Sequence, residues 1–174
     1  MEITEKKSLW NLAGTAGLIM GLISTAAMFA GQYCATLNMS DFLTLFTGTI
    51  LWIAETGGCI FTMWFFMKKF AAECPSADSR TISRMGLTTA FLSALVYSAA
   101  SFANIAFISA DFYEAQYQII MQQMSPMMDS NSKELMMKMI GYMPQITFFS
   151  NLIYCSIFGT IVSSVISRLI PKEQ

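Results

Sequence analysis

The sequence contains no histidine. That removes the commonest general base, the commonest metal ligand and every catalytic triad built on imidazole. Charge is also scarce: 12% of the 174 residues are Asp, Glu, Lys or Arg, against about 25% in soluble domains. With 55% hydrophobic residues and a mean hydropathy of +0.52, the composition is that of a polytopic membrane protein. The formal net charge of -1 comes without a long basic run, so no nucleic-acid partner is expected. Cysteine is sparse as well, at Cys34, Cys59, Cys74 and Cys155, with no CxxC pair. Cys59 and Cys155 fall inside apolar stretches, where Cys behaves as a small hydrophobe. Cys34 and Cys74 fall on opposite sides of the membrane by the spans below, so neither a disulfide framework nor a zinc site is expected. Gly-rich phosphate loops, paired catalytic acids and metal-ligand clusters are missing too. No enzyme, metal or cofactor is expected on these grounds.

What the chain does have is long apolar runs, from about Leu9 to Ala30, Phe42 to Met67, Met85 to Ile108 and Pro144 to Ile170. Only helices and closed barrels cross lipid, and these runs lack the alternation of barrel strands. The expected fold is all-α: an integral membrane four-helix bundle forming a single domain over residues 1–174. Lys6 and Lys7 precede the first run as in a signal peptide, but the run exceeds the h-region of one, about 7–15 residues. It is read as an uncleaved helix.

Basic residues set the orientation. Lys6, Lys7, Lys68, Lys69, Arg80, Arg84, Arg168 and Lys172 fall on one side, and only Lys133 and Lys138 on the other. The positive-inside rule then places both termini in the cytoplasm of a bacterial inner-membrane protein, with residues 109–143 facing the periplasm. Trp10, Tyr33, Trp64 and Tyr142 fall near the expected interfaces.

One charge breaks the second run. Glu55 is the only charged residue among the 26 from Phe42 to Met67, with thirteen residues before it and twelve after. It sits near the expected bilayer midplane, where an unpaired carboxylate is costly and is either neutralised or used. Tyr97, Asn104 and Asn151 are its candidate polar partners from other spans. One reading is a proton-responsive carboxylate or ligand contact. The other, which the missing cation and missing second acid favour, is a neutral carboxyl joining two helices by a hydrogen bond.

Small residues mark packing faces. Gly14, Gly17, Gly21 and Ser24 form one stripe on the first helix, and Gly159, Ser163 and Ser167 form another on the fourth. Gly57 and Gly58 follow Glu55 and are expected to admit a neighbouring backbone. Between Met121 and Met143 lie eight of the fifteen methionines. Thioethers suit Cu(I), but Tyr113, Tyr117, Ile120 and Met124, then Leu135, Met136, Met139 and Met143, are spaced as apolar helix faces. Two amphipathic helices broken at Ser125-Pro126 are therefore expected, lying on the membrane or capping the bundle. Lys68, Lys69, Arg80 and Arg84 are placed to touch lipid head groups.

Several short motifs resemble an uncharacterised bacterial family of four-helix membrane proteins. They are Phe65-Phe66-Met67-Lys68-Lys69 and Arg84-Met85-Gly86 around the basic loop, the outward Ala110-Asp111-Phe112-Tyr113-Glu114, and Arg168 ending the last helix. The resemblance implies the four-helix fold and no catalytic residues. It also implies a neighbouring polyprenyl-phosphate glycosyltransferase as partner. The function expected from residues and resemblance together is a non-catalytic inner-membrane subunit that binds a membrane partner or lipid-linked glycan machinery, in contact with membrane lipids and with itself or that partner. The alternative is a small proton-coupled transporter, acting as a dimer through Glu55.

Overall fold

A computed structural model describes residues 3–37, 40–124, 126 and 128–170, with side chains from Lys6 onward. Lys172, Ser125 and Met127, used in the reading above, lie outside the described residues. The fold is all-α, a helical membrane bundle: 93% of it is helix, with no strand among the described residues. The helices are α1 (Ile3–Thr36), α2 (Asp41–Glu73), α3 (Ser79–Ala103), α4 (Ala110–Met124), α5 (Ser130–Gly141) and α6 (Met143–Leu169), with a π-helical turn at Asn104–Ile108 after α3. Four segments are long and apolar enough to cross a membrane: Lys6–Thr36, Asp41–Glu73, Ser79–Ile108 and Met143–Leu169.

The helices overrun the apolar runs. The α2 helix continues past Met67 through Lys68 and Lys69 to Glu73, because the hydrogen-bond ladder does not need lipid to persist. It stops where chemistry forbids more: Cys74 precedes Pro75, and a residue before proline is pushed out of the helical region. Cys74 accordingly adopts φ -127°, ψ 75°. Four residues later the Asp78 carboxylate accepts the Thr81 amide at 2.8 Å and starts α3, as an N-cap should.

The chain divides into two compact units, residues 1–97 with 152–174, and residues 98–151. In the first, small residues let helices meet. A Cβ on Gly17 would come within 2.8 Å of Leu92 Cβ, and one on Gly21 within 2.6 Å of Val96 Cβ, so α1 lies directly on α3. On the other flank Gly86 faces Ser163 and Met67, and Gly159 faces Ala90, which brings α6 and α2 onto α3. Gly58 is in ordinary contact with Ile23 of α1. Gly14 and Gly57 meet nothing within 4 Å, so of the glycines expected at helix contacts these two face open space.

The core of this unit is concentrated toward the 74–78 turn. Phe70, Met63, Met67 and Met85 are fully buried there, joined by Leu9, Leu12, Ile82 and Ile166. The N-terminal half of α2 is bare by comparison: from Asp41 to Ala54 only Thr47 and Leu51 are even half-buried.

The second unit holds the end of α3, the π turn, α4, α5 and the start of α6. Asn104, fully buried, organises it. Its amide donates to the Tyr113 hydroxyl at 3.3 Å, and its carbonyl accepts the Ser109 hydroxyl at 2.8 Å. The Ser109 amide bonds the Asn104 main-chain carbonyl at 2.8 Å, closing the wide turn. At the start of α5 the Asp129 carboxylate accepts the Ser132 amide at 2.9 Å. No residue of α4 or α5 is buried; Tyr113 and Tyr117 are half-buried, while Ile120, Met124, Leu135 and Met139 are exposed.

Candidate functional site

Glu55 occupies the point where the core of the first unit runs out. One and two turns toward the 74–78 loop, Cys59 and Thr62 are packed; one turn the other way, Trp52 is 64% exposed. Glu55 itself is half-buried. Its neighbours come from α2 and α6, and one of them, Cys59, is in turn held by α1. Cys59 Sγ lies 3.7 Å from the Ser24 hydroxyl of α1 and 3.9 Å from the Met20 carbonyl oxygen. The Glu55 carboxyl interacts electrostatically with Cys59 on its own helix and with Cys155 of α6. All four cysteines are free thiols.

This group can supply weak donors only. Thiols and one hydroxyl offer soft hydrogen bonds to a carboxylate and no positive charge. Among the described residues nothing hydrogen-bonds or pairs with Glu55, and no cluster of three His, Cys, Asp or Glu could hold a metal ion. The cations of α2 are engaged elsewhere. Lys68 stands 5.2 Å over the Trp64 ring, and Lys69 lies 3.9 Å from the Glu73 carboxylate. Lys68 is thirteen residues from Glu55, about 20 Å along the helix.

The polar residues grouped with Glu55 by depth are employed otherwise. Asn104 serves the π turn and Tyr113, and Asn151 donates to Ser101 Oγ at 3.1 Å; all of these belong to the second unit. Tyr97 is half-buried on α3. What sequence reasoning missed is the contribution of Ser24 and Cys155. The position of Cys59 one turn after Glu55 is a usable signal; nothing in the sequence marks Cys155.

Two further features are local. Arg80 and Arg84 are exposed in the first turns of α3, and Ser8 donates to the Glu73 carboxylate at 2.9 Å, tying α1 to α2 near the same turn. In the second unit an open apolar cavity of about 330 Å³ is lined by Ala99, Phe102, Gln145, Phe148 and Phe149. Its rings are mutually edge-on, with Phe102 and Phe148 centroids 6.5 Å apart. Outside the spans, burial raises the Tyr113 phenol above its usual range, and the hydrogen bond from Asn104 offsets part of that.

No curated protein matches the chain, and neither does any solved structure. A family model does, across residues 15–169, which reach into all four spans and include every residue of the Glu55 group. The chain belongs to the family described as Protein of unknown function (DUF4199).

Proposed function

We propose that this chain is a non-catalytic, multi-pass subunit of a bacterial inner membrane that binds another membrane protein along the N-terminal half of α2. Its termini lie in the cytoplasm by the eight-to-two count of basic residues. Lys68, Lys69, Arg80 and Arg84 then meet anionic head groups on that side.

The observation that carries the reading is the uncovered half-helix ending at Glu55. Exposed apolar side chains alone carry nothing here, because lipid solvates them. A face that also presents Thr44, Gly48 and the unsatisfied Glu55 carboxyl is different. Thr44 and Gly48 are exposed, and Gly48 has nothing within 4 Å. Small residues in lipid earn their place by letting a neighbouring helix approach closely. The neighbour for this stretch is supplied from outside the chain. The family likeness implies a polyprenyl-phosphate glycosyltransferase as the class of partner, with this subunit as its membrane companion.

Photocrosslinking tests the reading. With p-benzoylphenylalanine replacing Trp52, irradiated native membranes are expected to give a discrete protein adduct, weakened by Gly48→Leu. Lipid adducts alone overturn it. An adduct at twice the chain mass identifies the neighbour as a second copy and moves the weight to the proton-coupled dimer.

A further inference from the structure

The identity of the group that meets Glu55 follows from what its surroundings lack. Thr44, Gly48 and Glu55 are spaced by four and seven residues, so they share one face of α2. Thr44 and Gly48 are exposed on it, Leu51 and Glu55 half-exposed. The Thr44 hydroxyl on this face is already spent, bonding back to the Ser40 carbonyl at 3.2 Å. Among the described residues Glu55 has no hydrogen-bond partner.

A carboxyl in the middle of a span is kept neutral, or its ionised form is stabilised by a cation, by strong donors or by water. Around Glu55 the chain places two thiols, and the nearest hydroxyl, that of Ser24, is directed to one of them, Cys59. The Lys68 and Lys69 ammonium groups are held at the far end by Trp64 and Glu73. No basic residue lies between Phe42 and Met67. The one thing this face lacks is positive charge.

We infer that the occupant of the α2 face is a transmembrane helix of a partner protein that carries a Lys or Arg at mid-depth and pairs it with Glu55. This rests on the docking role proposed for that face and adds the chemistry of the partner. Two charges that are each costly alone in hydrocarbon neutralise one another on pairing, so the pair selects the partner and sets its depth. The open Gly48, about two turns away, lets the incoming backbone come close enough for the side chain to reach. A second copy meets this requirement poorly, since symmetry brings one Glu55 against another. A free small cation is met poorly too, because among the described residues no group of three His, Cys, Asp or Glu surrounds the carboxyl.

The test uses the full chain, donor-labelled, in phosphatidylcholine vesicles. The probes are acceptor-labelled Leu–Ala transmembrane peptides with Arg, Gln, Leu or Glu at the centre, read by energy transfer. The Arg peptide is expected to bind at least tenfold more tightly than the Leu peptide. Glu55→Gln erases that difference, and Glu55→Lys transfers the preference to the Glu peptide. Gly48→Leu weakens binding of every peptide. Equal binding of the Arg, Gln and Leu peptides, still lost in Gly48→Leu, overturns the charge pairing and leaves the docking face intact. Transfer between chains without peptide, lost in Glu55→Gln, assigns the face to a second copy and overturns the inference. Absence of any binding overturns both the inference and the docking face.

Discussion

The Ser163 hydroxyl donates to the main-chain carbonyl of Ser83 at 3.0 Å, fastening α6 to α3 across a gap kept open by Gly86. A Cβ on Gly86 would collide with Ser163 and come within 2.8 Å of Met67 Sδ. Three helices therefore converge on one missing methyl group.

Gly86→Ala is expected to destabilise the fold by about 1–3 kcal/mol, the usual cost of overpacking. Gly57→Ala meets open space and is expected to be neutral or to stabilise by about 0.5–1 kcal/mol through helix propensity. Thermal unfolding of both variants in one detergent decides the matter. Equal midpoints would mean that α6 does not press on α3 at Gly86.

Asn104→Leu leaves the Ser109 and Tyr113 hydroxyls without their shared partner. Losing buried polar partners of this kind costs about 1–3 kcal/mol. The loss is expected to be local, as faster amide exchange over residues 104–113. The same change removes the hydrogen bond that moderates the Tyr113 phenol, so its ionisation moves still higher above the ordinary value. An ultraviolet titration, with Tyr113→Phe as the control, reads this directly.

Asp129 gives a pH dependence of known sign. The hydrogen bonds from Ser132 hold its carboxyl below the usual carboxylate range. A depressed folded value stabilises the ionised form, so the capping contribution is complete above the unfolded value of about 3.9. It is lost as pH falls through the lower folded value. Protection of the first amides of α5, corrected for intrinsic exchange, is expected to decline in that acid window. Asp129→Asn keeps a capping oxygen and removes the titration, and its protection is expected to stay flat with pH.

Orientation is checked by labelling. In a background without native cysteines, Glu134→Cys is expected to react with an impermeant maleimide in intact cells. Ser76→Cys is expected to react only after permeabilisation. The opposite pattern would invert the topology.

The four spans are legible in the sequence because a long apolar run needs no tertiary partner to declare itself. Their ends are not, since α1 begins at Ile3 and α2 continues to Glu73 through residues that belong to water. Hydropathy records where lipid is; it does not record where main-chain hydrogen bonding stops. Gly17 and Gly21 meet α3, while Gly14 on the same helix meets nothing. A stripe shows that close approach is affordable, but the rotation of the helix decides which glycine is used. Asn104 looked like a companion to Glu55 by depth alone. Its role in closing the π turn depends on where Ser109 and Tyr113 return in space. Cys155 is less legible still, because its nearness to Cys59 and Glu55 exists only after α6 has packed.

The length of α2 has a mechanical consequence. Its 33 residues rise about 50 Å, against a hydrocarbon thickness of about 30 Å. The excess at the Glu73 end is clamped to α1 by Ser8, and the helix is unbroken from there to Glu55. Between the two points Met63, Met67 and Phe70 are fully buried in the core, so the emergent end and the turn that carries Glu55 are held in one register. The packed end thus acts as a footing, from which the bare stretch from Asp41 to Glu55 stands as a post.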